Sequence, residues 1–165
     1  MFNNLIFKSL PYLFILIFIF FEFSPNYFFQ VQLIKPFMFF TIIYCWIYND
    51  HKKFSPFSIL ILTVIYDLLN GDVVGVTCLF FLFIQYSRRK LFSDLISDDF
   101  KELWMKFILS FTFYISANLL AKLFLTTSTT SLKNLTISFI ITIALFPLFF
   151  KIVNKLSYKF RSYNE

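Results

Sequence analysis

Residues 10–21 read LPYLFILIFIFF, twelve positions without a charge, and Lys8 precedes them. A cation followed by an apolar run resembles a secretory signal. Glu22-Phe23-Ser24-Pro25, however, offers no small-x-small cleavage site, so the run is expected to stay in place as a first membrane span. Outward from it the same pattern recurs. Apolar stretches cover about 5–23, 32–49, 56–70, 73–88, 104–125 and 134–153. A spanning helix needs about 20 residues. The third and fourth stretches are shorter than that, and are read either as short spans in a locally thinned bilayer or together as a shallow re-entrant hairpin. The fold class predicted is therefore all-α: a polytopic integral membrane helical bundle of about six transmembrane helices, organised as one domain over 1–165.

Composition agrees. The chain is 59 % apolar and 15 % charged, with 28 Phe among 165 residues. A soluble chain of this length buries only about 70 % of its surface, so many aromatic rings would be left facing water, and lipid is the solvent that suits them. The net charge of +6 does not indicate nucleic acid, because the cations sit in short clusters between apolar runs and make no phosphate-tracking face.

Those clusters predict an orientation. Lys52 and Lys53 lie in the second connection, Arg88, Arg89, Lys90 and Lys101 in the fourth, and Lys151, Lys155, Lys159 and Arg161 near the C-terminus; the first and fifth connections carry only Lys35 and Lys133, and the third none. By the positive-inside rule, six spans then place both termini in the cytoplasm. Within the fourth connection, Leu91, Phe92, Leu95, Ile96, Leu103 and Trp104 recur at helical spacing around Asp94, Asp98, Asp99 and Glu102. This predicts an interfacial amphipathic helix over 91–103, either an elbow into the fifth span or a docking face.

Two places combine polar groups with apolar surroundings. Asp67 ends the run from Ile59, and the chain's two glycines, Gly71 and Gly75, follow it together with Asn70 and Asp72. An ionisable group there is costly against lipid and must face protein, water or the interface. The segment is read either as a tight turn that shapes a packing surface or small pocket on the periplasmic side, or as a hairpin turn with hydrated carboxylates. In the fifth stretch, Ser110, Tyr114, Asn118 and Lys122 recur every four residues and so share one helix face, with Ala117 and Ala121 beside them. Such a stripe is a helix-packing contact in lipid or, alternatively, the lining of a polar conduit.

Catalytic chemistry finds no support. His51 is a lone loop histidine, Cys45 and Cys78 lie in apolar runs, and the sequence lacks a nucleophile–base pair, metal-ligand spacing or a glycine-rich phosphate loop. No enzyme, cofactor or metal is expected.

The segment from Ile34 to Phe92 carries a family resemblance. Ile34-Lys35-Pro36 opens an apolar helix holding Tyr44 and Trp46, a basic loop runs from Tyr48 to Lys53, and Ser55-Pro56 opens the next helix. Then come Asp67-Leu68-Leu69-Asn70-Gly71-Asp72-Val73-Val74-Gly75, a further apolar run and Arg88-Arg89-Lys90. This resembles the bacterial rod shape-determining membrane protein family MreD, particularly its proteobacterial members. Asp67, Leu68, Leu69, Gly71 and Gly75 match that family's Asp-Leu-Leu-x-Gly-x-Pro-Leu-Gly element, while Thr63 stands where it usually has Gly and Val73 where it usually has Pro. Pro11 and Phe146-Pro147 are compatible with it. The resemblance implies a non-enzymatic scaffold of the inner membrane that partners an MreC-like protein. Through it, the MreB cytoskeleton would be linked to peptidoglycan elongation by RodA and its transpeptidase, with self-association a further expectation. A second resemblance, to the substrate-binding membrane subunits of vitamin uptake systems, implies instead a small-molecule transport component with Asp67 and the Asn118 stripe lining a pocket.

Overall fold

The computed structural model describes residues 2–24, 27–28, 31–32, 34–49, 54–91, 99–125 and 132–161. Six helices run through them: α1 (Phe2–Phe23), α2 (Met38–Asn49), α3 (Pro56–Asn70), α4 (Val76–Leu91), α5 (Phe100–Leu125) and α6 (Leu132–Arg161). Between α1 and α2, β1 (Tyr27–Phe28) and β2 (Val31–Gln32) form a two-residue antiparallel ladder. Each of the six apolar stretches overlaps one helix.

The second stretch, marked from about 32, is helical only from Met38, two residues after the Pro36 expected to open its helix. Pro36 has no N–H and disfavours helical backbone at Lys35. Side chains from elsewhere then cap the helix that follows: Phe37 N–H donates to Thr142 Oγ1 at 2.9 Å, and Phe39 N–H to Glu22 Oε2 at 2.9 Å. Of the interfacial helix expected over 91–103, residues 92–98 lie outside the described residues; Leu91 closes α4 and residues 100–103 open α5.

Among the described residues, α5 and α6 are the helices long and apolar enough to cross a membrane, with 17 % and 28 % of their apolar stretches buried within the protein. Most of that apolar surface therefore faces outward. Phe20, Leu109, Leu123 and Phe124 are among the exposed large side chains, a pattern suited to lipid and poorly suited to water. Pro11–Phe23, Met38–Asn49, Pro56–Asn70 and Val76–Ser87 are shorter apolar helices.

The chain divides into two compact units, residues 1–46 with 131–165 and residues 47–130. In the first, Phe18 meets Phe149 edge-on at 5.6 Å and Tyr44 meets Phe146 at 6.2 Å. Lys35 Nζ donates to the carbonyls of Glu22, at 2.8 Å, and Ser24, next to the last turn of α1. There a cation complements the helix dipole.

In the second unit, α3 packs on α4 and α4 on α5. Ser55 caps α3, its Oγ accepting the Ser58 N–H at 3.1 Å, and Pro56 takes the first helical position, where a missing N–H costs nothing. Gln85 of α4 donates to the Phe54 carbonyl at 2.7 Å, holding the far end of the α3–α4 hairpin. Phe80 packs on Tyr114 at 5.5 Å, and Tyr66, Phe81, Phe107 and Phe111 are fully buried. In lipid, such van der Waals packing and interhelical hydrogen bonds hold helices together.

A candidate functional site at the Asp67–Gly75 turn

The turn is built from both of its helices. At the end of α3, Gly71 adopts the left-handed conformation (φ 65°, ψ 25°), and the N–H groups of Gly71 and Asp72 both donate to the Asp67 carbonyl. This Schellman-like closure satisfies a carbonyl that the helix end would otherwise leave open. At the start of α4, the Gly75 carbonyl accepts the Leu79 N–H at 2.9 Å, which makes Gly75 the N-cap, at φ 102°.

Asp67 joins the two ends. Its side chain is fully buried, and Oδ2 accepts the Gly75 N–H at 2.8 Å. A carboxylate thus caps the positive end of α4 from the last turn of α3. Leu68 and Leu69 of the same motif are exposed and turn their apolar surface away from this cluster.

Asp72 is the second anchor. It accepts from Asn70 Nδ2, accepts from Asn118 Nδ2 at 3.0 Å, and forms an ion pair through Oδ1 with Lys122. The Asp72 side chain is 1 % exposed and that of Lys122 18 %. Lys122 stands in the last turn of α5, where a cation also suits the helix dipole. One turn and two turns earlier, Asn118 and Tyr114 continue the row, and the Tyr114 hydroxyl lies 3.0 Å from Thr77 Oγ1 of α4. Ser110 is half-buried a turn before that.

Three of the four residues in the α5 stripe thereby meet the motif turn or the first turn of α4. Asp72 and Thr77 are the partners that sequence reasoning did not single out as site residues. The available signal was Lys122 itself, the only charged residue between Lys106 and Lys133, since a lone cation in a long apolar helix needs an acid within reach. Alongside the polar cluster, Val76, Leu79, Phe80, Phe83, Phe113 and Ala117 line an open apolar groove of about 470 Å³. Among the described residues, no three His, Cys, Asp or Glu side chains come together as metal ligands. The arrangement is a clamp that joins α3, α4 and α5 through a charged turn.

The two glycines carry a testable strain. A Cβ at either position would meet no atom within 4 Å, so substitution costs only what the positive φ imposes. We expect Gly75→Ala to lose about 1–3 kcal/mol, Gly71→Ala about 1 kcal/mol, and Gly71→Asn less. Thermal unfolding in detergent reads that order, and equal stability of Gly75→Ala and the unaltered protein would contradict it.

Outward-facing apolar helices, three of them fastened by a buried polar clamp, define a helical membrane protein. Comparison sharpens this: the family described as rod shape-determining protein MreD matches residues 3–156, nearly the whole chain, and the chain belongs to that family. Its role therefore lies in determining rod shape. No curated protein and no solved structure matches it.

Proposed function

We propose that this chain is a non-enzymatic scaffold of the bacterial inner membrane. It would hold an MreC-like partner and, through it, couple the MreB cytoskeleton to peptidoglycan elongation by RodA and its transpeptidase. In this reading residues 1–165 form one integral membrane domain of about six spans, α3 and α4 being short. Both termini are cytoplasmic, the Asp67–Gly75 turn is periplasmic, and the connection between α4 and α5 lies at the cytoplasmic interface.

The observation that carries the reading is the outer face of α5. Leu109, Phe113, Ser116, Leu120 and Leu123 are all exposed and follow one another at alternating steps of four and three. That spacing is the seam by which one helix packs along another. Ser116 at its middle is small, as close helix approach in lipid requires, and its hydroxyl is meanwhile satisfied by the Thr112 carbonyl at 2.6 Å. The inner face of α5 is committed to the clamp, so the outer face is left for a partner's transmembrane helix.

Depletion in a rod-shaped host is expected to round the cells, and Ser116→Trp is expected to accumulate normally yet fail both to restore rods and to co-purify the MreC-like partner. Cells that stay rod-shaped and insert wall normally without the protein would refute the assignment. Full function and co-purification of Ser116→Trp would move the partner surface elsewhere.

A further inference from the structure

We propose that the C-terminal third of α6 is a binding site for anionic phospholipid headgroups. At 1.5 Å per residue the 30 residues of α6 reach about 45 Å, whereas the hydrocarbon core is about 30 Å thick. Lys133 marks one edge of that core. Some 20 residues further on, the core ends near Val153. Lys151 then extends its stem upward to reach the interface, and the segment from Asn154 to Lys159 falls within the headgroup layer.

The chemistry of that segment matches the depth. Lys151 and Lys155 are exposed one turn apart, while Val153 and Ser157 are buried. Lys159 and Arg161 continue the basic run, and α6 contains no acid from Leu132 to Arg161. The cations on this helix consequently have no carboxylate of their own helix to pair with. Ile152 and Tyr158 are exposed beside the lysines. An aliphatic side chain at the acyl boundary and a tyrosine at headgroup level are placed as in an interfacial belt, and a lipid surface meets these apolar groups and the lysines together. Juxtamembrane cations of this number attract anionic headgroups, each changing affinity about fivefold. The inference does not depend on the scaffold reading.

The test uses the full chain in a neutral detergent, with phosphatidylglycerol, phosphatidylcholine or a poly-glutamate peptide added. Bound lipid is counted by native mass spectrometry and stability followed by thermal unfolding. Phosphatidylglycerol is expected to bind in preference to phosphatidylcholine and to raise the melting temperature, both effects fading with salt. Lys151→Gln/Lys155→Gln/Lys159→Gln should lower the preference about a hundredfold, leaving the lipid-free melting temperature unchanged. The corresponding triple arginine variant should retain the preference, and this comparison stands even where the glutamine variant folds poorly. The proposal is overturned if the two lipids bind alike, if the glutamine variant folds and keeps the preference, or if poly-glutamate binds while phosphatidylglycerol does not.

Discussion

Lys122→Met is expected to destabilise the protein by about 3 kcal/mol, lowering its melting temperature in detergent by roughly 6–12 °C. The variant removes an ammonium from a carboxylate that is 1 % exposed, and breaking a buried pair by deleting one partner costs about 3–5 kcal/mol because the other charge is left in place. The lower end of that range applies, since the Lys122 side chain keeps 18 % of its surface exposed. Asn70 and Asn118 still donate to Asp72 in the variant, but two amides neutralise no charge.

The double variant Asp72→Asn/Lys122→Met distinguishes a lost contact from a stranded charge. With both charges gone the amide at 72 still accepts from Asn118, so the double variant should be more stable than Lys122→Met alone. That non-additivity is the signature of direct coupling. A Lys122→Met protein as stable as the unaltered one, or a double variant whose losses simply add, would show that the pair does not hold α5 to the turn.

The turn was legible in the sequence for a physical reason. A buried carboxylate and glycines free of a Cβ are rare in an apolar chain, and Asp67, Gly71 and Gly75 announce their conformational and electrostatic demands by type alone. Six apolar stretches likewise announce six helices, because hydropathy depends on composition. The partners across space were less legible. Asp72 and Lys122 are fifty positions apart, and nothing local to either says which acid meets which cation. Thr77 resembles any helical threonine until Tyr114 is brought to 3.0 Å. The start of α2 is only partly legible for a related reason: Pro36 marks the neighbourhood, but the caps come from Glu22 and Thr142, residues a hundred and more positions apart in the chain.

Asp67 separates a turn that only folds from a turn that also acts. Asp67→Ala removes a fully buried acceptor and leaves the half-buried Gly75 N–H unpaired, at a cost of about 1–3 kcal/mol. The variant should accumulate poorly, and rod shape should fail in proportion to the lost protein. Asp67→Asn keeps an oxygen that can accept the same N–H while giving up the carboxylate charge that favours the α4 terminus, a loss of about 0.3–1 kcal/mol. If the clamp acts by joining α3 to α4, the asparagine variant should sustain rods at nearly normal protein levels, and its melting temperature should fall only slightly. An asparagine variant that accumulates normally, melts normally and still leaves cells round would mean that the carboxylate itself is used. Asp67 would then meet a partner or ligand beyond the hydrogen bond it makes to Gly75, and the turn would be a recognition element in addition to a clamp between two helices.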